Sequence, residues 1–403
     1  MSEREARAAW SALAEPGDAA AATLVSSLGA AEALAWVRRG IASLDGVVAD
    51  LVGHMTRDEA VAVVAGHERW ARRLEWANAP LLERARKVGA RVVVPGDEEW
   101  PTSLAALGRA APFALWVRGA GRLATLWDRA IAVVGARACT AYGENVTGSL
   151  AGGIADAGWI VLSGGAYGID GVAHRVALES ESPTIAVMAG GVDRLYPAGN
   201  EQMLRAVLDA GCVVSEVPVG FAPHRSRFLQ RNRLIATAAG TVVVEAAFRS
   251  GALSTARQAA ALCRPVGAVP GPVTSASSAG CHALIREGVA TIVTAVADVL
   301  ELVTPLTQAP AIAGEGDSGG PDGDGGAGEG RRSRPDFARP EQRAVFDATS
   351  TRPRTTDDVA RRCGLSLAAA QAALVELEGL GVIARERGGW RKAPAPLSAR
   401  KRT

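Results

Sequence analysis

The sequence predicts an α/β protein: a three-layer domain with a mostly parallel sheet, preceded by a small helical domain and followed by a winged helix. Three observations carry this prediction. Between residues 129 and 304, six short Val- and Ile-rich runs alternate with helix-length amphipathic segments, the pattern of βαβ units covered on both faces. Residues 1–90 place apolar residues at helical spacing and carry few strand signals. Residues 341–395 hold three helix patterns and a short hairpin, the order of a winged helix.

In chain order, Trp36, Ile41 and Leu44, then Val61, Val64 and Trp70, mark the helical region. A basic helix ending in RARKVGARVVV (Arg84 to Val94) passes into a short strand, and Pro95, Pro101 and Pro112 break the next segment. Ala114 to Val117 reads as a strand leading into the main sheet. The candidate strands are then Ala132 to Val134, Ile160 to Leu162, Thr184 to Met188, Cys212 to Ser215, Thr241 to Val244 and Val266 to Val269. Residues 305–338 form a Gly/Asp-rich linker; its first 26 residues hold five acidic side chains and no basic one, too little apolar surface to offset chain entropy, so disorder is expected. The winged helix spans residues 339–395, with helices near Glu341 to Ala348, Thr356 to Cys363 and Ser366 to Leu380 and a hairpin of Val382 to Arg387 with Trp390 to Lys392. A basic tail, residues 396–403, closes the chain.

Composition narrows the function. The 403 residues are 48% hydrophobic and 21% charged, enough for a large core and two or three domains. The net charge is only +2, yet 41 Arg against three Lys are unevenly placed, so local charge is the better guide. Five scattered cysteines without a CxxC pair point to reduced thiols rather than disulfides or zinc. The first 30 residues lack signal-peptide order, and no apolar run reaches the roughly 18 residues a membrane helix needs. A cytoplasmic protein without membrane insertion is expected.

The segment Ile131 to Ala173 holds two strand ends rich in small residues, each just before a helix, which points to a phosphate-binding crevice. It does not fit a dinucleotide. After the first strand comes a lone Gly135 and then Arg137, and the second strand ends in Ser163-Gly164-Gly165 rather than in an acidic residue. GxxxxGK[ST] is also missing, so neither cofactor nor P-loop is expected. Arg137 can fork onto a phosphate, helped by free N–H groups at the helix start near Thr140. The cluster PHRSRFLQRNRLIA (Pro223 to Ala236) sets Arg225, Arg227, Arg231 and Arg233 around Phe228 and Asn232, suited to a polyanion whose bases stack. A solvated basic turn is the bland alternative. FRSGALSTA (Phe248 to Ala256) adds Arg249, Ser250, Gly251 and Ser254 at another helix start.

Catalytic constellations are poor. Asp170 and His174 share a helix face but lack a nucleophile or third metal ligand, so a structural hydrogen bond is the favoured role. Glu216 and Glu245 end strands beside arginines, where carboxylates commonly hold those arginines in place.

At VVGARACTAYG (Val133 to Gly143), LSGGAYGIDGVAH (Leu162 to His174), Tyr196-Pro197, SEVP (Ser215 to Pro218), FLQRNRLIA (Phe228 to Ala236), VVVEAAFRSGALSTA (Val242 to Ala256), VPGPV (Val269 to Val273) and GCHALIREG (Gly280 to Gly288) the chain resembles the DprA/Smf family of DNA-processing proteins. The resemblance implies an extended Rossmann-like domain over residues 91–304 that binds single-stranded DNA and delivers it to the RecA recombinase in natural transformation, with dimerisation as a homodimer. By motif position it implies DNA contacts at Arg137, Arg225, Phe228, Arg231, Asn232 and Arg233, with Ser163, Gly164, Gly165, Ser250 and Gly251 as phosphate donors. Ala198 stands where many relatives have lysine, and Arg194 or Arg205 could compensate.

The third helix of the winged helix carries Glu376 and Glu378, and Gly364 to Ala384 holds no Arg or Lys, which argues against major-groove readout. The hairpin holds Arg385, Arg387, Arg391 and Lys392, so phosphate contact through the wing or docking to a protein is expected instead. The rival reading is a nucleotide phosphoribohydrolase with a PGGxGT loop acting on a nucleoside monophosphate. Here that loop reads RSGALSTA, without the glycine-glycine-threonine core, and the leading reading is non-catalytic.

Overall fold

The structure is a computed structural model, and it describes residues 1–40, 51–304, 339–350, 353–386 and 388–393. The expected linker over 305–338, the tail over 396–403, and Ile41, Leu44 and Arg387 lie outside the described residues. The chain divides into two units, Met1–Ala309 and Pro310–Thr403.

The first unit opens with helices α1 (Glu3–Leu13), α2 (Ala19–Leu28), α3 (Ala30–Arg39), α4 (Arg57–Ala71), the short α5 (Leu74–Ala77) and α6 (Leu81–Lys87). Their starts follow from capping chemistry: Ser2 with Glu5 and Thr56 with Glu59 form capping boxes, and Asp18 accepts from the N–H groups of Ala20 and Ala21. The helices close around Trp10, which is wholly buried, meets Trp70 edge-on at 5.6 Å and donates its indole N–H to the Ala30 carbonyl at 2.9 Å.

Nine strands come next: β1 (Ala90–Val93), β2 (Leu115–Arg118), β3 (Ala130–Val134), β4 (Ile160–Ser163), β5 (Thr184–Val187), β6 (Cys212–Ser215), β7 (Gly240–Val243), β8 (Val266–Ala268) and β9 (Thr291–Ile292). They lie in the order β1-β2-β6-β5-β4-β3-β7-β8-β9. β1 and β2 run antiparallel at one edge, and every pairing from β6 to β9 is parallel. The intervening helices include α7 (Leu123–Trp127), α8 (Ala141–Asp156), α9 (Ile169–Glu179), α10 (Glu201–Ala210), α11 (Arg225–Ile235), α12 (Gly251–Ala261), α13 (Ala279–Arg286) and α14 (Val296–Val303).

The unbroken apolar runs of the strands have a simple cause. Successive side chains point to opposite faces, and here both faces are covered. Ala130, Ala132 and Val134 pack with Leu234, Leu253 and Leu284 from α11, α12 and α13. Ile131 and Val133 pack on the other face with Leu150, Ile169 and Val299 from α8, α9 and α14. The helical region is joined to the same sheet: Ala8, Ala12, Leu81 and Ala85 pack with Trp116 and Val213, and the Trp116 indole donates to Ser11 Oγ at 3.2 Å.

A second tie is ionic. Arg227 of α11 donates to both oxygens of Glu15 at 2.9 and 2.8 Å, and Arg73 donates to the same carboxylate. Burial pushes the Glu15 carboxyl up, but the two guanidiniums outweigh it and hold its pKa at about 2 against an ordinary 4.5. A carboxylate depressed in this way stabilises the fold fully above its unfolded pKa and loses that contribution as pH falls through the folded value. Glu15→Gln is therefore expected to lower the melting temperature at neutral pH and to flatten the loss of stability between pH 4.5 and about 2. Thermal melts across that range test this, and an acid limb identical to that of the parent protein would exclude Glu15 as its source.

The second unit holds α15 (Pro340–Ala348), α16 (Thr356–Cys363), α17 (Leu367–Gly379) and the antiparallel hairpin of β10 (Ile383–Glu386) and β11 (Gly389–Lys392). Val345, Val359, Leu374, Leu377, Ile383 and Trp390 form its core, and a bridge between Arg354 and Trp390 adds a third strand-like segment. It is a winged helix.

Candidate functional site

From β3 the parallel strands proceed through β4 to β6 on one side, and the chain then returns to add β7 to β9 on the other. Such a reversal opens a crevice at the carboxyl ends of the strands, because the flanking connections leave in opposite directions. An open cleft of about 840 Å³ sits there. Its walls include Arg137 after β3, Ala166 after β4, Arg249, Ser250 and Gly251 after β7, and Arg225, Phe228, Arg231 and Asn232 from α11. Seven of the eleven residues expected around a ligand thus meet in one place. Ser163, Gly164, Gly165 and Arg233 do not line it.

Arg137 is exposed on the turn that begins at Gly135. A Cβ at Gly135 would lie 2.6 Å from Ile169 and 2.9 Å from the Glu245 carbonyl, so only glycine lets the turn pass. The Arg137 guanidinium lies over the Phe228 ring, 5.2 Å from its centroid, a cation–π contact that holds a long side chain at the mouth of the cleft. Tyr196 also meets Phe228, at 5.9 Å and tilted, with its own ring half exposed. Sequence reasoning singled out the Tyr196-Pro197 pair without giving the tyrosine a role, since its partner lies 32 positions away.

Two of the N–H groups expected to be free beside Arg137, those of Thr140 and Gly143, are engaged. Glu245, buried at the end of β7, accepts from Thr140 N–H at 2.9 Å and Thr140 Oγ1 at 2.7 Å, and Thr140 in turn caps Gly143 N–H. A Cβ at Gly143 would sit 2.2 Å from the Glu245 carboxylate, so the bare glycine makes room for it. The carboxylate therefore neutralises the amino end of α8 itself, rather than holding an arginine as the sequence led us to expect. Thr140 and Glu245 are 105 positions apart, which hid the pairing.

The loop after β4 is committed in the same way. Ser163 Oγ donates to the Val133 carbonyl at 2.6 Å, the Gly164 N–H goes to Asp170 at 3.1 Å, and Asn200 Nδ2 donates to the Gly165 carbonyl at 3.1 Å. These donors serve the loop, so Ser163 and Gly164 have none left for a phosphate. Arg231, buried at the floor of the cleft, clamps the arrangement by donating to the carbonyls of Gly164 and Val187. A Cβ at Gly164 would meet its guanidinium at 2.5 Å. Burial lowers the Arg231 pKa to about 10 despite nearby Asp170, and burial raises the Asp170 carboxyl although Arg231 opposes this. His174, pulled down to about 3 by burial and by Arg231, is neutral. It contacts Thr184 Oγ1 at 2.8 Å, and because that hydroxyl donates to Val161, the imidazole Nδ1 is the donor. This is the structural role expected of it.

The four arginines of the cluster thus divide. Arg233 pairs with buried Glu216 at 2.8 and 2.5 Å, away from the cleft, and Arg227 pairs with Glu15. Arg231 clamps carbonyls, and only Arg225 is exposed toward the cleft. Arg249 joins it there, after β7. Arg205 pairs with Glu201 within its own helix, which leaves exposed Arg194 as the candidate to offset Ala198. Ser250 caps α12 through Ala252 N–H at 3.2 Å, and Asn232 donates to the Gly251 carbonyl at 3.3 Å. In the winged helix, Arg385 lies over Trp390 at 5.5 Å, Lys392 over Phe346 at 4.6 Å, and Arg391 pairs with Glu386 at 2.5 Å.

An open cleft rimmed by Arg137, Arg225 and Arg249 with the Phe228 ring at its mouth suits an anionic chain with stackable groups. Among the described residues no group of three or more His, Cys, Asp or Glu could hold a metal, and no single helix is long and apolar enough to cross a membrane.

Comparison with known proteins agrees with the motifs. Residues 91–304 match the family model of DNA recombination-mediator protein A, and residues 331–389 match that of the DprA winged helix domain. The chain is 41% identical over 398 residues to a DNA processing protein DprA of Mycobacterium tuberculosis, covering 95% of this chain and 93% of the relative. It is 34% identical to the DNA processing protein DprA of Bacillus subtilis, over 52% of this chain and 70% of that one. The crystal structure of DNA processing protein A from Streptococcus pneumoniae superposes with a TM-score of 0.57 at 29% identity, covering 75% of this chain and 98% of that one.

Proposed function

The chain belongs to the DNA recombination-mediator protein A family, and on that premise we propose that its cleft holds single-stranded DNA, which the protein shields and hands to the RecA recombinase during DNA uptake. The observation that carries this reading is the Arg137 guanidinium seated over the Phe228 ring at the topological switch point. It sets a phosphate-binding charge and a base-stacking face side by side, with Arg225 and Arg249 extending the positive rim. On this reading the grip is on backbone and ring, as a protein that must accept any incoming strand requires. A non-catalytic role is part of this reading, and the internal contacts of Glu216, Asp170, His174 and Glu245 support it. A homodimer would present two such clefts to one strand.

Binding is expected to weaken linearly on a log–log plot against salt, and Arg137→Ala to lower the slope by about 0.7, the contribution of one phosphate contact on a single strand. The loss should be equal for oligonucleotides of unrelated sequence. Fluorescence anisotropy at several salt concentrations measures both; affinity indifferent to salt would refute the reading. Mixing with RecA, with and without DNA, tests the handover.

A further inference from the structure

The cleft does not end the surface suited to a single strand. Pro223, His224 and Arg225 form its wall, and the same loop continues back to Phe221, two residues from Pro223 and so within about 7 Å of it. There Phe221 meets Trp76 at 4.7 Å with the rings nearly perpendicular, and Trp76 is 45% exposed. Trp76 belongs to the four-residue α5 of the helical region, remote in sequence from every residue of the cleft.

The loop between these two places is pinned at successive residues. The Phe221 carbonyl accepts from Gly191 N–H at 2.8 Å, the Ala222 carbonyl accepts from Arg227 at 3.0 Å, and Pro223 packs so close to Gly190 that a Cβ there would meet it at 2.8 Å. The Arg227 guanidinium also lies over the Phe221 ring at 5.3 Å, while its other donors hold Glu15. The Phe221 ring meets the indole at right angles and helps hold it, so little rotamer freedom is lost when something stacks on the exposed part. A cationic group accompanies it: exposed Arg38 is held beside the short helix by Asn78 at 2.6 Å, and half-exposed His224 stands in the cleft wall.

Resting on the reading of the cleft as a single-strand site, we infer that Trp76 is a second stacking platform, which receives a base of the same strand after it leaves the cleft across the Pro223–Arg225 loop. Two aromatic stations, Phe228 under the Arg137 guanidinium and Trp76 against the Phe221 ring, would then sit on either side of one pinned loop. The helical region becomes part of the DNA-binding surface rather than only a buttress for the sheet.

The test compares oligothymidylates of about 6 and about 12 nucleotides, lengths that bracket occupation of one and of both stations. For the parent protein the longer oligomer binds more tightly. Trp76→Ala is expected to leave the short oligomer unaffected and to weaken the long one about five- to a hundredfold, the range found when a stacking aromatic is removed. Trp76→Phe, which keeps a ring, should retain most of the length effect. An unchanged affinity of Trp76→Ala for the long oligomer overturns the inference, and so does an equal loss on both lengths in a variant that melts like the parent. Failure of the parent protein to bind either oligomer would instead overturn the reading of the cleft, and this inference with it.

Discussion

Phe228→Ala is expected to weaken single-stranded DNA binding about tenfold or more while leaving the salt dependence as steep as in the parent protein. The ring performs two tasks. It offers a base a stacking face, and loss of such a face costs about 1–3 kcal/mol. It also seats the Arg137 guanidinium, 5.2 Å from its centroid, and an exposed cation–π contact contributes about 0.5–1 kcal/mol. Together they set the expected loss at about 1.5–4 kcal/mol, with each 1.4 kcal/mol worth about tenfold. No charge is removed, so the number of phosphate contacts and hence the slope stay the same. The pair of variants is therefore diagnostic: Arg137→Ala changes the slope, and Phe228→Ala changes the intercept. If Phe228→Ala bound like the parent, the strand would not run through this cleft.

Arg231→Ala is expected to act mainly on stability. The side chain is buried, donates to two carbonyls from different strand ends, and lies near the carboxyl of Asp170. Its removal leaves two carbonyls without their donor and Asp170 without its opposing charge, a class of change that costs about 3–5 kcal/mol. For a domain this large that corresponds to a melting temperature lower by about 10 °C. Lysine should not rescue it, because a single ammonium cannot reproduce the fork of a guanidinium. Thermal melts measure the effect, and DNA affinity measured well below the transition separates the two roles. A variant that melted with the parent yet lost DNA would make Arg231 a ligand contact instead of a clamp.

The contrast between Arg231 and Arg137 shows what the sequence could convey. Strands β3 to β8 were legible within a residue or two, because burial on both faces leaves an unbroken apolar run with turn residues at either end. Helix starts at Thr140 and Ser250 were legible because a capping hydroxyl acts within three residues. The meeting of residues after β3, after β7 and on α11 followed from the strand alternation alone. The division of labour among the arginines did not. It depends on Glu15, Glu216, Gly164 and Val187, which lie between 17 and 212 positions from the arginines they engage. Within PHRSRFLQRNR nothing local tells an arginine that will be buried from one that will face solvent. Trp76 was missed for the same reason: its significance lies in touching Phe221, and nothing in its own neighbourhood records that contact.

The carboxylate of Glu245 at the amino end of α8 has a consequence of its own. In a sheet of this kind that position is where a mobile cofactor would lodge its pyrophosphate, and the chain has filled it with a fixed counterion of its own making. A pyrophosphate brought to that helix end would meet the Glu245 carboxylate, a like charge already seated there. The open positive charge lies instead at the rim, on the exposed guanidiniums of Arg137, Arg225 and Arg249, where an extended anion rather than a compact one would meet all three.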